Sequence, residues 1–221
     1  MKHRPLCLRQ TRRRNRHPYA VKIIGLTGSI GMGKSTAARM IKCMGIAVFD
    51  ADATTHRLMG PKGTALPHIE ERFPGIVGSQ GVDRKRLGDI VFKDKAALND
   101  LETILHPMIG QEKESFLRCH ALRRSGRVIL DVPLLFETDG QNRCDAALVV
   151  TAPKFLQRQR VLARVGMTDE KLAGILSHQM PDQYKRRLAT AVVTSGLGMA
   201  VTWRKLRQVL VNDLRVIGKV G

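Results

Sequence analysis

One eight-residue stretch constrains the fold of this chain more than any other. Residues 28–35 fit the pattern G-x-x-x-x-G-K-S, which ends in Lys34 and Ser35. The stretch follows a β-branched run that predicts a buried strand and precedes a run that predicts a helix. In that context glycines let backbone N–H groups point at phosphate oxygens, and the helix dipole adds positive potential. The stretch therefore predicts a nucleoside-triphosphate site, because a glycine-rich turn would seldom match the whole pattern by accident.

The pattern gives its polar residues distinct roles. Lys34 is expected to reach the β- and γ-phosphates of ATP, and the hydroxyl of Ser35 is expected to bind Mg²⁺. The predicted ATP-binding residues of the loop are Gly28, Gly31, Met32, Gly33, Lys34, Ser35 and Thr36. A nucleoside triphosphate and Mg²⁺ are therefore the expected ligands of the loop.

Strands alternate with helices along the chain, which predicts an α/β fold with a parallel sheet covered on both faces. The predicted strands lie near residues 21–26, 46–49, 127–132, 146–150 and 189–193. The interval 53–126 is too long for a simple crossover, so we expect an inserted, mainly helical substrate-binding unit there. Within it, Asp83 and Asp94 are expected to cap helices, and Pro107 is expected to interrupt a long one.

Two carboxylates, Asp50 and Asp52, follow the second predicted strand. Alternation along the strand end would place both on one side, where a carboxylate near the phosphates could accept a proton from an attacking hydroxyl. The alternative is a pair of caps for a helix that begins near Ala53. We favour a functional pair, because the second strand of such a sheet ends beside the phosphate loop.

A basic run on a later predicted helix contains Arg160 and Arg164, which lie on one face four residues apart. Two aligned guanidinium groups suit the charge of a transferring phosphoryl group. Such a run alone is more often a solvated face. The capped helix expected from Thr168 and the basic residues 185–187 favour a mobile lid over ATP, at about residues 154–188.

Three further polar residues are candidates for the site. His106 precedes the proline of the long helix, and a packed or capping histidine is preferred there over a functional one. Asp131 ends the third predicted strand, where a carboxylate can lie near Mg²⁺. Glu137 closes the apolar run 134–136 and is expected either to bind substrate or to cap a turn.

The net charge of +19, from 38 Lys and Arg against 19 Asp and Glu, first suggests a nucleic-acid binder. Its distribution argues otherwise. Residues 1–20 carry seven basic residues and no acid, whereas residues 21–150 have a net charge of only +3 and residues 151–221 one of +9. Aromatic residues, which would stack on bases, make up 4% of the chain. We therefore expect phosphate-bearing small molecules and no specific nucleic-acid partner.

The cysteines, the apolar runs and the N-terminal extension bear on the cellular location of the protein. The four cysteines lack metal-ligand spacing, so reduced and mostly buried thiols in a cytoplasmic protein are expected. No apolar run reaches the roughly 20 residues that a membrane-spanning helix needs, so no membrane partner is expected. The basic extension over residues 1–20 is expected to be disordered, and a start-site artefact and a targeting segment are the alternatives.

Together these motifs resemble the dephospho-coenzyme A kinase family. The resemblance runs in order across residues 21–197. The motifs that carry it, in one-letter code, are GLTGSIGMGKST (25–36), FDAD (49–52), LHP (105–107), PLLFE (133–137), R-Q-R with a further R (158–164), GMT (166–168), QMP (179–181), KRR (185–187) and TSG (194–196). The phosphate loop alone is shared by many kinases and GTPases, whereas the combination with DAD, HP and PLLFE is far more specific. Another small P-loop kinase acting on a nucleoside or nucleotide is the alternative.

The resemblance implies ATP-dependent phosphorylation of the ribose 3′-hydroxyl of dephospho-CoA, the last step in making coenzyme A. It also implies a P-loop NTP hydrolase-like, three-layer fold with a five-stranded parallel sheet. The implied units are a core over 21–52 and 127–153, a helical CoA-binding insertion over 53–126, the lid, and a closing strand and helix over 189–217.

The resemblance implies roles for single residues as well. By the family pattern Asp52 is the general base, Arg160 and Arg164 stabilise the transferring phosphoryl group, and Gly196 approaches the adenine of ATP. The residues implied to lie toward the acceptor are Asp50, His106, Pro133, Leu134 and Glu137. The chain departs from the pattern at two positions. The family usually has Asp where this chain has Thr190, and Asp or Asn where it has Thr194.

Overall fold

A computed structural model describes residues 20–213 of the chain. Its strands are β1 (Lys22–Thr27), β2 (Ala47–Asp50), β3 (Val77–Gly78), β4 (Gly81–Val82), β5 (Arg127–Asp131), β6 (Ala146–Thr151) and β7 (Ala191–Thr194). Five of them form one parallel sheet in the order β2-β5-β1-β6-β7. The predicted five-stranded parallel sheet is therefore confirmed. The basic extension over residues 1–20 lies outside the described residues except for its last residue.

Helices cover the sheet and fill the long interval between β2 and β5. They are α1 (Lys34–Cys43), α2 (Ala51–Leu58), α3 (Leu66–Arg72), α4 (Arg84–Lys93), α5 (Lys95–Leu122), α6 (Lys154–Leu162), α7 (Asp169–Ser177), α8 (Asp182–Leu188) and α9 (Met199–Arg207). A 3-10 turn spans Gly140–Arg143, and a π-helical segment, Gln208–Asp213, continues α9. The predicted closing helix is thus partly π-helical, and its last residues, 214–217, lie outside the described part.

Adjacent residues of β1 show that both faces of the sheet are buried. Ile24 packs with Ile41 of α1 and Leu206 of α9, whereas Ile23 packs on the opposite face with Leu117 of α5. A strand buried on both sides needs apolar residues at consecutive positions, which accounts for the run that marks β1 in the sequence. The phosphate-loop pattern begins directly after this strand.

The interval between β2 and β5 has an apolar core of its own. Its members include Leu58 of α2, Ile69 of α3 and Leu105 of α5. Asp83 and Asp94 cap α4 and α5 by accepting hydrogen bonds from backbone N–H groups, as the sequence predicts. The antiparallel hairpin of β3 and β4 is not foreseen, because two-residue strands carry too little periodicity to be recognised.

The predicted break at Pro107 is wrong, because α5 continues through it. Proline in a helix removes one donor and crowds the carbonyl of the residue four positions earlier, at a cost of about 3 kcal/mol. The two halves of α5 lie in different cores, which offsets that cost: Leu105 belongs to the core of the interval, and Leu117 packs under the central sheet. The helix thereby joins the inserted unit to the sheet.

The segment between β6 and β7 forms α6, α7 and α8. Thr168 caps α7 by accepting from the N–H of Lys171, as predicted. The guanidinium of Arg158 donates two hydrogen bonds to the carboxylate of Asp169, at 2.8 and 2.6 Å, and so ties α6 to α7. In the part of the chain that the structure describes, no helix is long and apolar enough to cross a membrane.

The cysteines of the described residues are free thiols, but the expectation that they are mostly buried is wrong, because one is exposed and two are only partly buried. They are Cys43, Cys119 and Cys144. Burial, the largest cause, raises the pKa of the Cys144 thiol to about 11, so this group stays protonated and unreactive at neutral pH. Cys7 lies outside the described residues.

Candidate active site

The phosphate loop leads from β1 into α1 through glycines with a left-handed backbone. Gly31 and Gly33 have φ values of 75° and 89°, and Gly33 occupies the N-cap position of α1. A Cβ on Gly33 would lie 2.8 Å from Oγ of Ser195, closer than real contacts allow. The loop therefore needs glycine at this position for its conformation and for its packing.

Two glutamines hold the backbone of Ile30 in the loop. Nε2 of Gln157, on α6, donates to the Ile30 carbonyl at 2.9 Å, and the Ile30 N–H donates to Oε1 of Gln179 at 3.1 Å. Sequence reasoning gave neither glutamine a role. The available signal was a glutamine four residues before the buried Val161 on the same helix face, since a polar residue there needs a buried partner.

The ammonium of Lys34 lies 2.7 Å from Oδ1 of Asp131, at the end of β5. The Asp131 side chain is 4% exposed. Burial raises the pKa of Asp131 above its ordinary value, the hydrogen bond and charge of Lys34 oppose that rise, and the nearby charges of Asp50 and Asp52 add to it. The Lys34 ammonium thus favours the ionised form of this carboxylate, whereas its burial favours the neutral form.

A cavity of about 760 Å³ brings most of the predicted residues together. The predicted residues that line it are Gly28, Gly31, Gly33, Lys34, Ser35, Thr36, Asp52, Pro133, Arg160, Arg164 and Gly196. Met32 is buried beneath the loop, where its sulfur accepts a hydrogen bond from the N–H of Ala152 at 3.1 Å. The volume is in the range of nucleotide-sized ligand sites.

The two carboxylates after β2 do not share a strand. Asp50 is the last residue of β2 and caps α2, since its Oδ1 accepts from the N–H of Ala53 at 2.9 Å. Asp52 is the second residue of α2 and is exposed toward the cavity. The expectation that strand alternation sets their direction is wrong, because the cap at Asp50 starts the helix at once. The capping alternative holds for Asp50.

The arginines of α6 differ in their surroundings. Arg160 is half-buried: its Nη1 donates to Oγ of Ser195 and its Nη2 to the Ser195 carbonyl, both at 2.9 Å. The Ser195 hydroxyl in turn donates to the Met32 carbonyl at 2.7 Å. Arg164 is exposed at the rim of the cavity. Sequence reasoning missed Ser195, although it lies between Thr194 and Gly196 of a quoted motif.

The residues implied to lie toward the acceptor are dispersed. Pro133 lines the cavity, and its carbonyl accepts from Oγ1 of Thr27 at 2.9 Å. His106 is exposed on α5 and Leu134 is exposed after β5, and neither lines this cavity. The structure therefore does not bring these two residues to the phosphate loop.

Glu137 makes buried protein contacts. One of its oxygens accepts from the N–H of Met180 at 2.7 Å and lies 2.8 Å from the ammonium of Lys185. Lys185 is wholly buried, although it belongs to a basic run expected in a lid. Beside it, Oδ2 of Asp182 accepts from Oγ1 of Thr151 at 2.8 Å. The Glu137–Lys185 pair thus joins the segment after β5 to α8.

The oxygen donors at the loop fit a magnesium ion. Ser35, the second residue of α1, is exposed, and the carboxylate of Asp131 lies beside Lys34. Over residues 20–213 no group of three or more His, Cys, Asp or Glu residues is placed to hold a metal. Proteins usually hold Mg²⁺ with one or two of their own ligands, and water and phosphate fill the rest of its shell.

Comparisons with known proteins agree with these features. The family model described as dephospho-CoA kinase matches residues 22–199. A dephospho-CoA kinase of Rhodospirillum rubrum is 55% identical over 186 residues, which cover 84% of this chain and 88% of the relative. The chain belongs to the dephospho-CoA kinase family. A dephospho-CoA kinase of Mesorhizobium japonicum is 47% identical over 87% of this chain and 96% of that relative.

Solved structures agree with the fold. A Thermus thermophilus protein of known crystal structure, TT1252, is 32% identical, with a TM-score of 0.74 over 88% of this chain and 98% of that one. A dephospho-CoA kinase from Campylobacter jejuni is 22% identical, with a TM-score of 0.62 over 91% of this chain and 100% of that one, and supports the fold alone. The predicted P-loop kinase fold is confirmed.

Proposed function

We propose that the chain transfers the γ-phosphoryl group of ATP to the ribose 3′-hydroxyl of dephospho-CoA and so forms coenzyme A, the last step in its synthesis. The observation that carries the proposal is one cavity in a member of this family, where Asp52 lies with the phosphate loop and two arginines. A carboxylate, a phosphate cradle and positive charge are the parts that phosphoryl transfer to an alcohol requires.

In this reaction Asp52 is the general base. Its carboxylate takes the proton of the 3′-hydroxyl while that oxygen bonds to the γ-phosphorus. The bond from the γ-phosphorus to the β–γ bridging oxygen breaks, and ADP leaves. Because Asp52 sits on the first turn of α2 and faces the cavity, the hydroxyl it accepts from must enter from the side of α2.

Lys34 and Ser35 hold the triphosphate. Lys34 is the first residue of α1 and lines the triphosphate cavity, so its ammonium is available to the phosphate oxygens. Ser35 and Asp131 would hold Mg²⁺, which would supply positive charge to the triphosphate.

The segment over residues 154–188 acts as the lid of the site, and Arg160 and Arg164 neutralise charge on the transferring phosphoryl group. Gln157 and Gln179 from this segment hold the backbone of Ile30, so the lid and the phosphate loop are positioned together. Gly196 lies toward the adenine. The interval 53–126 contributes to binding the acceptor.

The decisive experiment incubates the full chain with ATP, Mg²⁺ and dephospho-CoA and detects coenzyme A and ADP by mass spectrometry. Formation of both in equal amounts supports the proposal. If no coenzyme A forms while a nucleoside or nucleotide acceptor is phosphorylated, the chain is another small P-loop kinase. A cytoplasmic location, inferred from the cysteine pattern, stays a prediction.

A further inference from the structure

A second, smaller cavity of about 320 Å³ adjoins the first at Lys34, Ser35 and Asp52. It is a groove between α1 and α2. Its lining residues are Lys34, Ser35, Ala38, Arg39, Lys42, Asp50, Asp52, Ala53, His56 and Asp131. The groove therefore extends from the proposed general base away from the triphosphate cavity.

The charges in the groove are ordered along its length. All three carboxylates of its lining, Asp50, Asp52 and Asp131, lie at the end next to Lys34, near the carboxyl ends of β2 and β5. Lys34 and Lys42 are eight residues apart on one face of α1, a separation of about 12 Å along the helix axis. The far end of the groove is lined by basic side chains.

The basic far end consists of Arg39, Lys42 and His56. A second arginine, Arg84, contacts this end of the groove through His56. Nη1 of Arg84, the first residue of α4, lies 2.6 Å from Nδ1 of His56. Since arginine only donates, this imidazole nitrogen accepts the hydrogen bond. Positive charge from α1 and α4 therefore converges on the groove.

The ordinary alternative is a solvated helix face, with Lys42 in the last turn of α1 favoured by the helix dipole. Two observations favour a ligand-binding surface instead. Arg39 and Lys42 form no ion pair with a carboxylate in the described part of the chain; Arg39 has only a 3.5 Å contact from Nη2 to Oγ1 of Thr36. Both also line a concave surface that begins at Asp52.

We propose that the far end of the groove binds the diphosphate of the acceptor and so selects a nucleoside with a 5′-diphosphate over one without it. The proposal rests on the proposed function. With its ribose 3′-hydroxyl at Asp52, a dephospho-CoA molecule directs its 5′-diphosphate away from the phosphate-transfer point. The groove offers that diphosphate Arg39, Lys42 and the His56–Arg84 pair, and charge-assisted hydrogen bonds are the strong ones for phosphates.

The test compares the wild-type chain with an Arg39→Gln/Lys42→Gln variant. Dephospho-CoA and adenosine are titrated calorimetrically into each protein saturated with ADP and Mg²⁺, so that the ATP site is occupied. We expect the variant to bind dephospho-CoA about 10- to 100-fold more weakly, the usual effect of losing hydrogen bonds to a charged group, and to bind adenosine as the wild type does. Lys93→Gln, on the exposed end of α4, is the matched control and should change neither affinity.

Turnover gives a second readout. The KM for dephospho-CoA should rise in the double variant while the KM for ATP changes less than about twofold, and added salt should reduce the difference between the two proteins. Equal affinity of both proteins for dephospho-CoA, or an equal loss for adenosine, would overturn the inference. The binding measurement needs no turnover, so it stands apart from the assay for coenzyme A. If wild type makes coenzyme A and the variant binds normally, only the groove assignment fails.

Discussion

The ammonium of Lys34 lies 2.7 Å from the carboxylate of Asp131, so the residue expected to bind phosphate is held by a buried acid at the base of the loop. The two residues lie 97 positions apart in the chain, and the pairing of β1 with β5 brings them together. This contact links the start of α1 to the end of β5 and gives the buried carboxylate a positive partner. Each residue is therefore the charge partner of the other before a nucleotide binds.

We expect Lys34→Ala to weaken both nucleotide binding and turnover. The variant loses the cation for the β- and γ-phosphates and leaves Asp131 buried without a positive partner. By analogy with the loss of other electrostatic groups, kcat should fall by at least about 10²-fold. Calorimetric titration with a non-hydrolysable ATP analogue and a turnover assay measure the two effects, with Lys93→Ala as the control. Unchanged affinity for the analogue would contradict the role given to Lys34.

Asp52→Asn should separate binding from chemistry. The amide keeps the size of the side chain but cannot accept the proton of the acceptor hydroxyl, so we expect kcat to fall by roughly 10²–10⁴-fold with little change in ATP affinity. Asp89→Asn, on the exposed surface of α4, is the matched control. If the Asp52 variant turns over at the wild-type rate, another group is the base.

The sequence predicts the parts of this fold that local patterns encode. β1, the phosphate loop and the caps at Asp83 and Asp94 all follow from periodicity and capping chemistry. Pro107 shows the limit: a local rule predicts a break, but packing in two separate cores keeps α5 intact. No single-sequence pattern reports that kind of long-range support.

The candidate site also divides into residues that local motifs identify and contacts that only the tertiary structure shows. Lys34 and Asp52 can be read from motifs, whereas the contacts of Glu137 depend on residues 43 and 48 positions later in the chain. A basic run suggests a solvated or phosphate-facing surface, and nothing local distinguishes the buried Lys185 from its exposed neighbours. Tertiary structure alone determines which charge of such a run is paired inside the protein.

The buried pair of Glu137 and Lys185 should show strong coupling. Glu137→Gln leaves the Lys185 ammonium buried without its counter-charge, and we expect the free energy of unfolding to fall by about 3–5 kcal/mol. Glu137→Gln/Lys185→Met removes both charges and should cost less than the single change. Chemical denaturation at pH 7 of wild type, both single variants and the double variant completes the cycle. Additive losses would show that the pair contributes no coupling.

The same pair predicts a pH dependence of stability. Burial raises the pKa of Glu137, but the Lys185 ammonium and the Met180 N–H together outweigh it and hold the pKa below its ordinary value. A lowered folded-state pKa stabilises the protein above the unfolded value of about 4.3, and that stabilisation is lost as the pH falls through the folded pKa. We therefore expect the stability advantage of wild type over Glu137→Gln to be constant near neutral pH. It should shrink in acid below about pH 4.3. An advantage that grows on acidification would contradict this sign.

Gly33→Ala tests the geometry of the phosphate loop. With φ at 89° an added Cβ is strained, and it would lie 2.8 Å from the Ser195 hydroxyl that links Arg160 to the Met32 carbonyl. We expect the free energy of unfolding to fall by about 1–2 kcal/mol, the usual cost of the left-handed region, and ATP affinity to fall with it.

Gly174→Ala is the control, because this residue lies inside α7 with open space around it. That change should instead stabilise the protein by about 0.4–1 kcal/mol. Thermal and chemical denaturation of both variants provides the measurement. If Gly33→Ala keeps the stability and the ATP affinity of wild type, the loop tolerates a side chain at Gly33 and the contact with Ser195 does not constrain the loop.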